Sequence, residues 1–82
     1  MVAQLTLADL EPGQWGLIDR IDSSDPSVQR LMVLGLVENA RVQFIRAAIG
    51  GDPLEFRMYG IAISLRRDQA RKFSISPVTA VA

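Results

Sequence analysis

The residues with the greatest chemical potential in this chain are carboxylates and guanidiniums, because it contains neither cysteine nor histidine. Asp19, Asp22 and Asp25 recur at every third position, and oxygen ligands of this kind suit hard cations. The stretch lacks the alternating ligands, central glycine and terminal glutamate of a calcium loop. Asp25, directly before Pro26, is better placed to cap a helix. No dedicated metal site is expected, beyond weak capture of a divalent ion at a contact between two molecules. Arg66, Arg67, Arg71 and Lys72 form a basic cluster able to pair with phosphate. Asp68 sits inside that cluster, and Trp15, Tyr59 and Phe73 are too scattered for the aromatic interleaving that single-stranded nucleic acid uses. Gly50-Gly51-Asp52 is too short for a phosphate loop and lacks a following Lys-Ser/Thr pair, so it reads as a turn. Lys72 has no partner pattern that would activate it, and no cysteine or histidine stands in as nucleophile or base. The pattern is that of a binding module rather than an enzyme, with no cofactor.

The elements that must position these residues are short. Leu5 and Leu7 flank Thr6 in an extended start, and Asp9-Leu10-Glu11-Pro12-Gly13 is a turn. Trp15 to Ile21 is a strand. With Ile18 inward, alternation takes Gly16 inward too and sends Trp15, Leu17 and Asp19 to the opposite face. A bulge near Arg20 is needed to return Ile21 to the core. Asp25 and Pro26 open a helix of about ten residues whose Val28, Leu31, Met32 and Gly35 fall on one stripe, with Leu34 beside it. Gly35 is set to end the helix in a left-handed cap, with Leu36 folding back. Glu38-Asn39 is a turn. Val42 to Ala47 follows as a strand with Val42, Phe44 and Arg46 on one face. The Gly50-Gly51-Asp52-Pro53 connection makes it a hairpin with Leu54 to Tyr59, whose Leu54, Phe56 and Met58 face inward. Ile61, Ile63 and Leu65 form another inward face. Arg67 to Ala70 is one helical turn, with Asp68 as its expected cap. Phe73-Ser74-Ile75 is the last strand, with Pro77 ending it.

Trp15, Leu17 and Tyr59 thus stand on outer faces, and Trp, Tyr and Arg are the types enriched at binding hot spots. Together with Arg66 and Arg67 they make the expected partner-binding set. Trp15 has an alternative role as extra core folded over the open end of a barrel.

Size and charge frame this reading. Eighty-two residues make one domain, with a core over about 5–75 and a short tail at 76–82. Nine basic and nine acidic side chains give zero net charge, so the chain as a whole attracts neither nucleic acid nor a membrane surface. The charges divide, however. Residues 1–41 hold six acids against three arginines, and residues 42–82 hold six cations against three acids. No basic start followed by an apolar run, and no long apolar stretch, is present, so the expected location is cytoplasmic. Five or so short strands around one short helix make an all-β fold, a small SH3-like barrel that closes its own sheet edges.

Five segments in this order carry a resemblance: Leu7-Ala8-Asp9-Leu10-Glu11-Pro12-Gly13; Gln29-Arg30-Leu31-Met32-Val33-Leu34-Gly35-Leu36; Val42-Gln43-Phe44-Ile45-Arg46; Gly51-Asp52-Pro53-Leu54; and Leu65-Arg66-Arg67-Asp68-Gln69-Ala70. From about Leu5 to Ile75 the chain resembles the FeoA domain. Glu38-Asn39 stands where that family usually has Pro-Gly. The resemblance implies an SH3-like accessory protein of bacterial ferrous-iron uptake. It implies binding to the cytosolic region of a FeoB-like transporter, including its GTP-binding domain, with contact to the membrane only through that transporter. A homo-oligomer is a further possible state, and no nucleic acid partner is implied. The competing class is a nucleic-acid-binding or transcription-regulatory SH3-like barrel, since related domains occur fused to metal-dependent regulators.

Overall fold

The computed structural model describes residues 4–78; of the expected tail, 79–82 lies outside the described residues. A 3-10 turn at Leu7–Asp9 opens the fold. Its capping box has the Thr6 hydroxyl accepting from Ala8 N–H and the Asp9 carboxylate accepting from Thr6 N–H. Where an extended start was expected, this turn drives Leu7 fully into the core. The strands are β1 (Trp15–Ile21), β2 (Arg41–Ala47), β3 (Leu54–Met58), β4 (Ile61–Leu65) and β5 (Phe73–Val78). The helices are α1 (Pro26–Val33) and α2 (Arg67–Ala70). All pairings are antiparallel, in the order β4-β3-β2-β1-β5. This is the small SH3-like architecture that the sequence predicts.

One apolar cluster fills the concave side, with Ile18, Val42, Phe56, Leu65, Phe73 and Ile75 essentially without solvent exposure. Phe44 and Phe56 pair across β2 and β3 with ring centroids 5.3 Å apart, the tilted geometry that aromatic quadrupoles favour. No charged or polar residue is buried among the described residues, so the core rests on apolar burial alone. Gly16 faces this core, where an added Cβ would stand 3.2 Å from Ile75 Cδ1 and 3.3 Å from Leu10 Cδ1. The small residue lets β1 approach closely.

Helix α1 is capped as its sequence dictates. Asp25 Oδ1 accepts from Ser27 N–H at 2.8 Å, and Pro26 takes the first helical position. At the other end Gly35 has φ +116°, Gly35 N–H donates to Met32 O, and Leu36 N–H donates back to Leu31 O, a Schellman motif. That reversal buries Leu36.

Several expectations are corrected. Leu34, expected beside the apolar stripe of the helix, is 62% exposed, because α1 ends at Val33 and the reversal at Gly35 gives the core position to Leu36. Met32 is half-buried. Arg46 does not share the inner face of Val42 and Phe44. The register shifts between Phe44 and Arg46, and Arg46 turns outward to Glu55 at 3.3 Å. Ile61 lies opposite buried Met58 but is 60% exposed, since β4 is the outermost strand and its corner is not packed over. Asp68 does not cap α2; the Gln69 side chain accepts from Arg66 N–H at 2.9 Å instead. Pro77 does not end β5 but lies within it, opposite Gly16, as an edge strand tolerates. The sheet edges are treated unequally. Ile75 N–H donates to Leu5 O and Thr6 bridges Ser74, so the N-terminal segment covers part of β5. Among the described residues no ladder joins β4 to β5.

Candidate functional site

On the convex side of the sheet, cross-strand register sets Val78, Trp15, Gln43, Arg57 and Ala62 in one row across all five strands. Directly opposed residues share a face. The neighbouring row holds Leu17 between Ser76 and Arg41. Tyr59 follows β3 directly, two positions beyond Arg57, and lines the same groove as Arg41. Trp15, Arg41, Gln43, Arg57 and Tyr59, with Gly60 and Val78, line a groove of about 340 Å³. Trp15 is half-buried in its wall and Tyr59 is 76% exposed. Gln43 Nε2 donates to Gly13 O at 3.1 Å, which fixes the amide in the floor. Trp15 therefore lies on the outer face and is not among the buried core residues.

Tyr59 is conspicuous for its backbone. It occupies the first position of the two-residue β3–β4 turn, with φ +51° followed by Gly60 at φ +79°. Such a turn wants Asn, Asp or Gly there. A bulky aromatic held in the left-handed region costs about 1–2 kcal/mol, yet this ring packs into no core. A residue that breaks a local rule without structural gain points to a role outside the fold.

The electrostatics separate this groove from the rest of the surface. The salt bridges among the described residues are Arg46–Glu55, Arg66–Asp68 and Lys72–Asp22. Arg41 and Arg57 enter none of them, and no carboxylate lines their groove. A second groove, lined by Arg20, Asp22, Asp68, Arg71 and Lys72 together with Ile21 and Ser74, contains its own counter-charges. Hydrogen bonds from Ser24 hold the Asp22 carboxyl below its ordinary value, aided by Lys72. Ser27 does the same for Asp25 through its backbone N–H.

The expected partner-binding set is thus divided. Trp15 and Tyr59 come together, Leu17 flanks them beside Arg41, and Arg66 and Arg67 stand at the other end of β3 and β4, where Leu54 opposes Leu65. Arg67 is engaged internally: its N–H donates to Asp52 Oδ1 at 2.8 Å and its Nη2 to Gly51 O at 2.9 Å, tying the β2–β3 turn to α2. Arg66 forms an exposed pair with Asp68 at 3.5 Å. Arg41, Gln43 and Arg57 were not singled out by the sequence reading. Alternation on β2 and β3 sets all three outward, but their register with Trp15 comes only from the strand pairing. The three aspartates do not converge either. Asp25 caps α1, Asp22 holds Ser24, and Asp19 accepts from the Ser76 hydroxyl. Among the described residues no three carboxylates are placed to hold a metal ion.

A small five-stranded barrel with a solvent-open aromatic and guanidinium groove defines the class, a compact SH3-like domain. The family model for the FeoA domain matches residues 5–77, and the chain belongs to that family. Among solved structures it is similar to the FeoA protein of Chlorobium tepidum, at 27% identity and TM-score 0.84, over 95% of this chain and 74% of that one. It is also similar to the zinc-complexed FeoA of Stenotrophomonas maltophilia, at 21% identity and TM-score 0.76, over 88% and 89% of the two chains. That protein is described as an SH3 domain protein and a candidate bacterial ferrous-iron transport activating factor. A manganese-dependent transcriptional repressor has a similar fold, at 16% identity and TM-score 0.80, over 95% of this chain and 38% of the repressor. No curated protein matches the chain by sequence. Among the described residues no helix is long and apolar enough to cross a membrane.

Proposed function

We propose that this chain is a non-enzymatic, cytoplasmic accessory protein that modulates a FeoB-like ferrous-iron transporter by binding its cytosolic region, including the GTP-binding domain. Family membership, with its link to ferrous-iron transport, supports the transport setting. The observation that carries the binding role is Tyr59, exposed and held at positive φ beside Trp15 in a groove without carboxylates. Aromatic rings and arginines around a central cleft are the composition of interface hot spots. The sheet and its β3–β4 turn hold their backbones, so binding has only side chains left to order. Likeness to the repressor is a likeness of fold at low identity, and zero net charge disfavours a nucleic acid partner.

The test is titration of the purified chain into the cytosolic region of such a transporter, with and without GTP. A saturable complex that Trp15→Ala weakens while leaving the circular dichroism spectrum intact supports the reading. Absence of a complex in both nucleotide states contradicts it.

A further inference from the structure

We infer that the Trp15–Tyr59 groove recognises an extended acidic segment carrying carboxylates two residues apart. This rests on the protein-binding reading above and adds the chemistry of what is bound.

Gln43 is opposed to Arg57 across β2 and β3, and Arg41 lies two residues from Gln43 on the same strand and face. Arg41 and Arg57 are therefore diagonal neighbours, with Cβ atoms about 7–8 Å apart at most. In an extended peptide, side chains at i and i+2 project to one side, about 6.5–7 Å apart. Two carboxylates so spaced can each meet one guanidinium, and Arg offers a planar fork suited to each.

Charge favours the same ligand. The salt bridges among the described residues leave out both arginines, and the groove wall contributes no counter-charge. Two cations set this close repel one another, and an acidic ligand relieves that repulsion. Elsewhere Arg46 pairs with Glu55, Arg66 with Asp68 and Lys72 with Asp22; Arg20, Arg30 and Arg71 also enter none of these salt bridges, but Arg20 and Arg71 share their groove with Asp22 and Asp68. What sets Arg41 and Arg57 apart is that they share a groove without a carboxylate, and that groove also holds the aromatic residues Trp15 and Tyr59. Trp15 on β1 and Tyr59 at the β3–β4 turn flank the arginines, so apolar residues next to the acids gain ring contacts while their carboxylates are held. A single strand of nucleic acid would need a basic track along its backbone, whereas this groove offers two cations in a chain of zero net charge.

Trp15 is the one tryptophan of the chain, so its fluorescence reports on the groove directly. The probes are a short, end-blocked peptide with two glutamates separated by one serine and flanked by leucines, and its counterpart with glutamines. An oligothymidylate serves as the nucleic acid probe. The glutamate peptide is expected to give a saturable emission shift, and its affinity to fall at least about tenfold with the glutamine peptide or with Arg41→Gln/Arg57→Gln. Both arginines are exposed, and an unchanged thermal midpoint for the double variant separates lost binding from lost fold. Equal affinity for the two peptides, no shift with either, or tighter binding of the oligothymidylate overturns the inference. Titrating the double variant into the transporter's cytosolic region separates the two claims. A complex formed by wild type and variant alike overturns the acidic-segment inference and leaves the proposed function standing. Peptide binding without any complex does the reverse.

Discussion

At the scale of single residues, fold and function make opposite demands at two positive-φ sites. Gly35 serves the fold. At φ +116° a side chain is strained whatever its surroundings, and here an added Cβ would also stand 3.0 Å from Met58 Cε. Gly35→Ala is expected to lower unfolding free energy by about 1–3 kcal/mol in urea titration. Tyr59 serves no packing. Tyr59→Asn, better suited to the turn, is expected to leave stability unchanged or raise it by up to about 1 kcal/mol, while weakening the partner complex. A fall in stability would instead return Tyr59 to a structural role. The sequence reading identified the Gly35 cap correctly because glycine after an amphipathic run has one dominant use. It placed Tyr59 at the end of an alternating strand, and the left-handed backbone that marks the residue was not visible from alternation.

At the scale of elements, the first turn of α1 and the loop before it depend on two carboxylates. Asp22 and Asp25 keep their charge more readily in the folded chain than the ordinary carboxylate with pKa 3.8, through hydrogen bonds from Ser24 and Ser27. Their contribution to stability is therefore complete above that value and is lost as pH falls through the lower folded values. Thermal midpoints measured from about pH 6 down to about pH 2 should decline for the wild type. Asp25→Asn keeps a good cap and should flatten part of that decline, whereas Asp25→Ala should lower the midpoint at every pH. An Asp25→Asn profile parallel to the wild type would contradict this account. Capping was legible here because Asp-Pro before a periodic apolar run has local causes. What escaped the sequence was decided by neighbours in space. Ile61 alternates correctly yet lies at an uncovered corner, Arg46 is turned out by a bulge, and Leu34 is displaced by the chain reversal that buries Leu36.

At the scale of the whole molecule, nine acids and nine bases balance to zero, yet three of each pair in salt bridges and one groove sets two arginines together with no carboxylate in its lining. The expected site was half legible for the same reason. Alternation identified Trp15 and Leu17 as outward, but the convergence of Arg41, Arg57 and Tyr59 on them depends on strand register, which no local pattern encodes. Arg66 and Arg67 stood out by adjacency in sequence, and pairing carries them to the far end of β3 and β4. Since only two charges line the groove, the partner complex should weaken gently with added salt, far less than a phosphate-tracking complex would. The central claim is that this FeoA-family chain binds a transporter's cytosolic region through the Trp15–Tyr59 groove. Isothermal titration of that region with wild type and Trp15→Ala tests it most directly. The account predicts a saturable complex with the wild type and a loss of at least about 2 kcal/mol of binding free energy in the folded variant. Equal affinities for the two proteins, or no complex with the wild type, would contradict it.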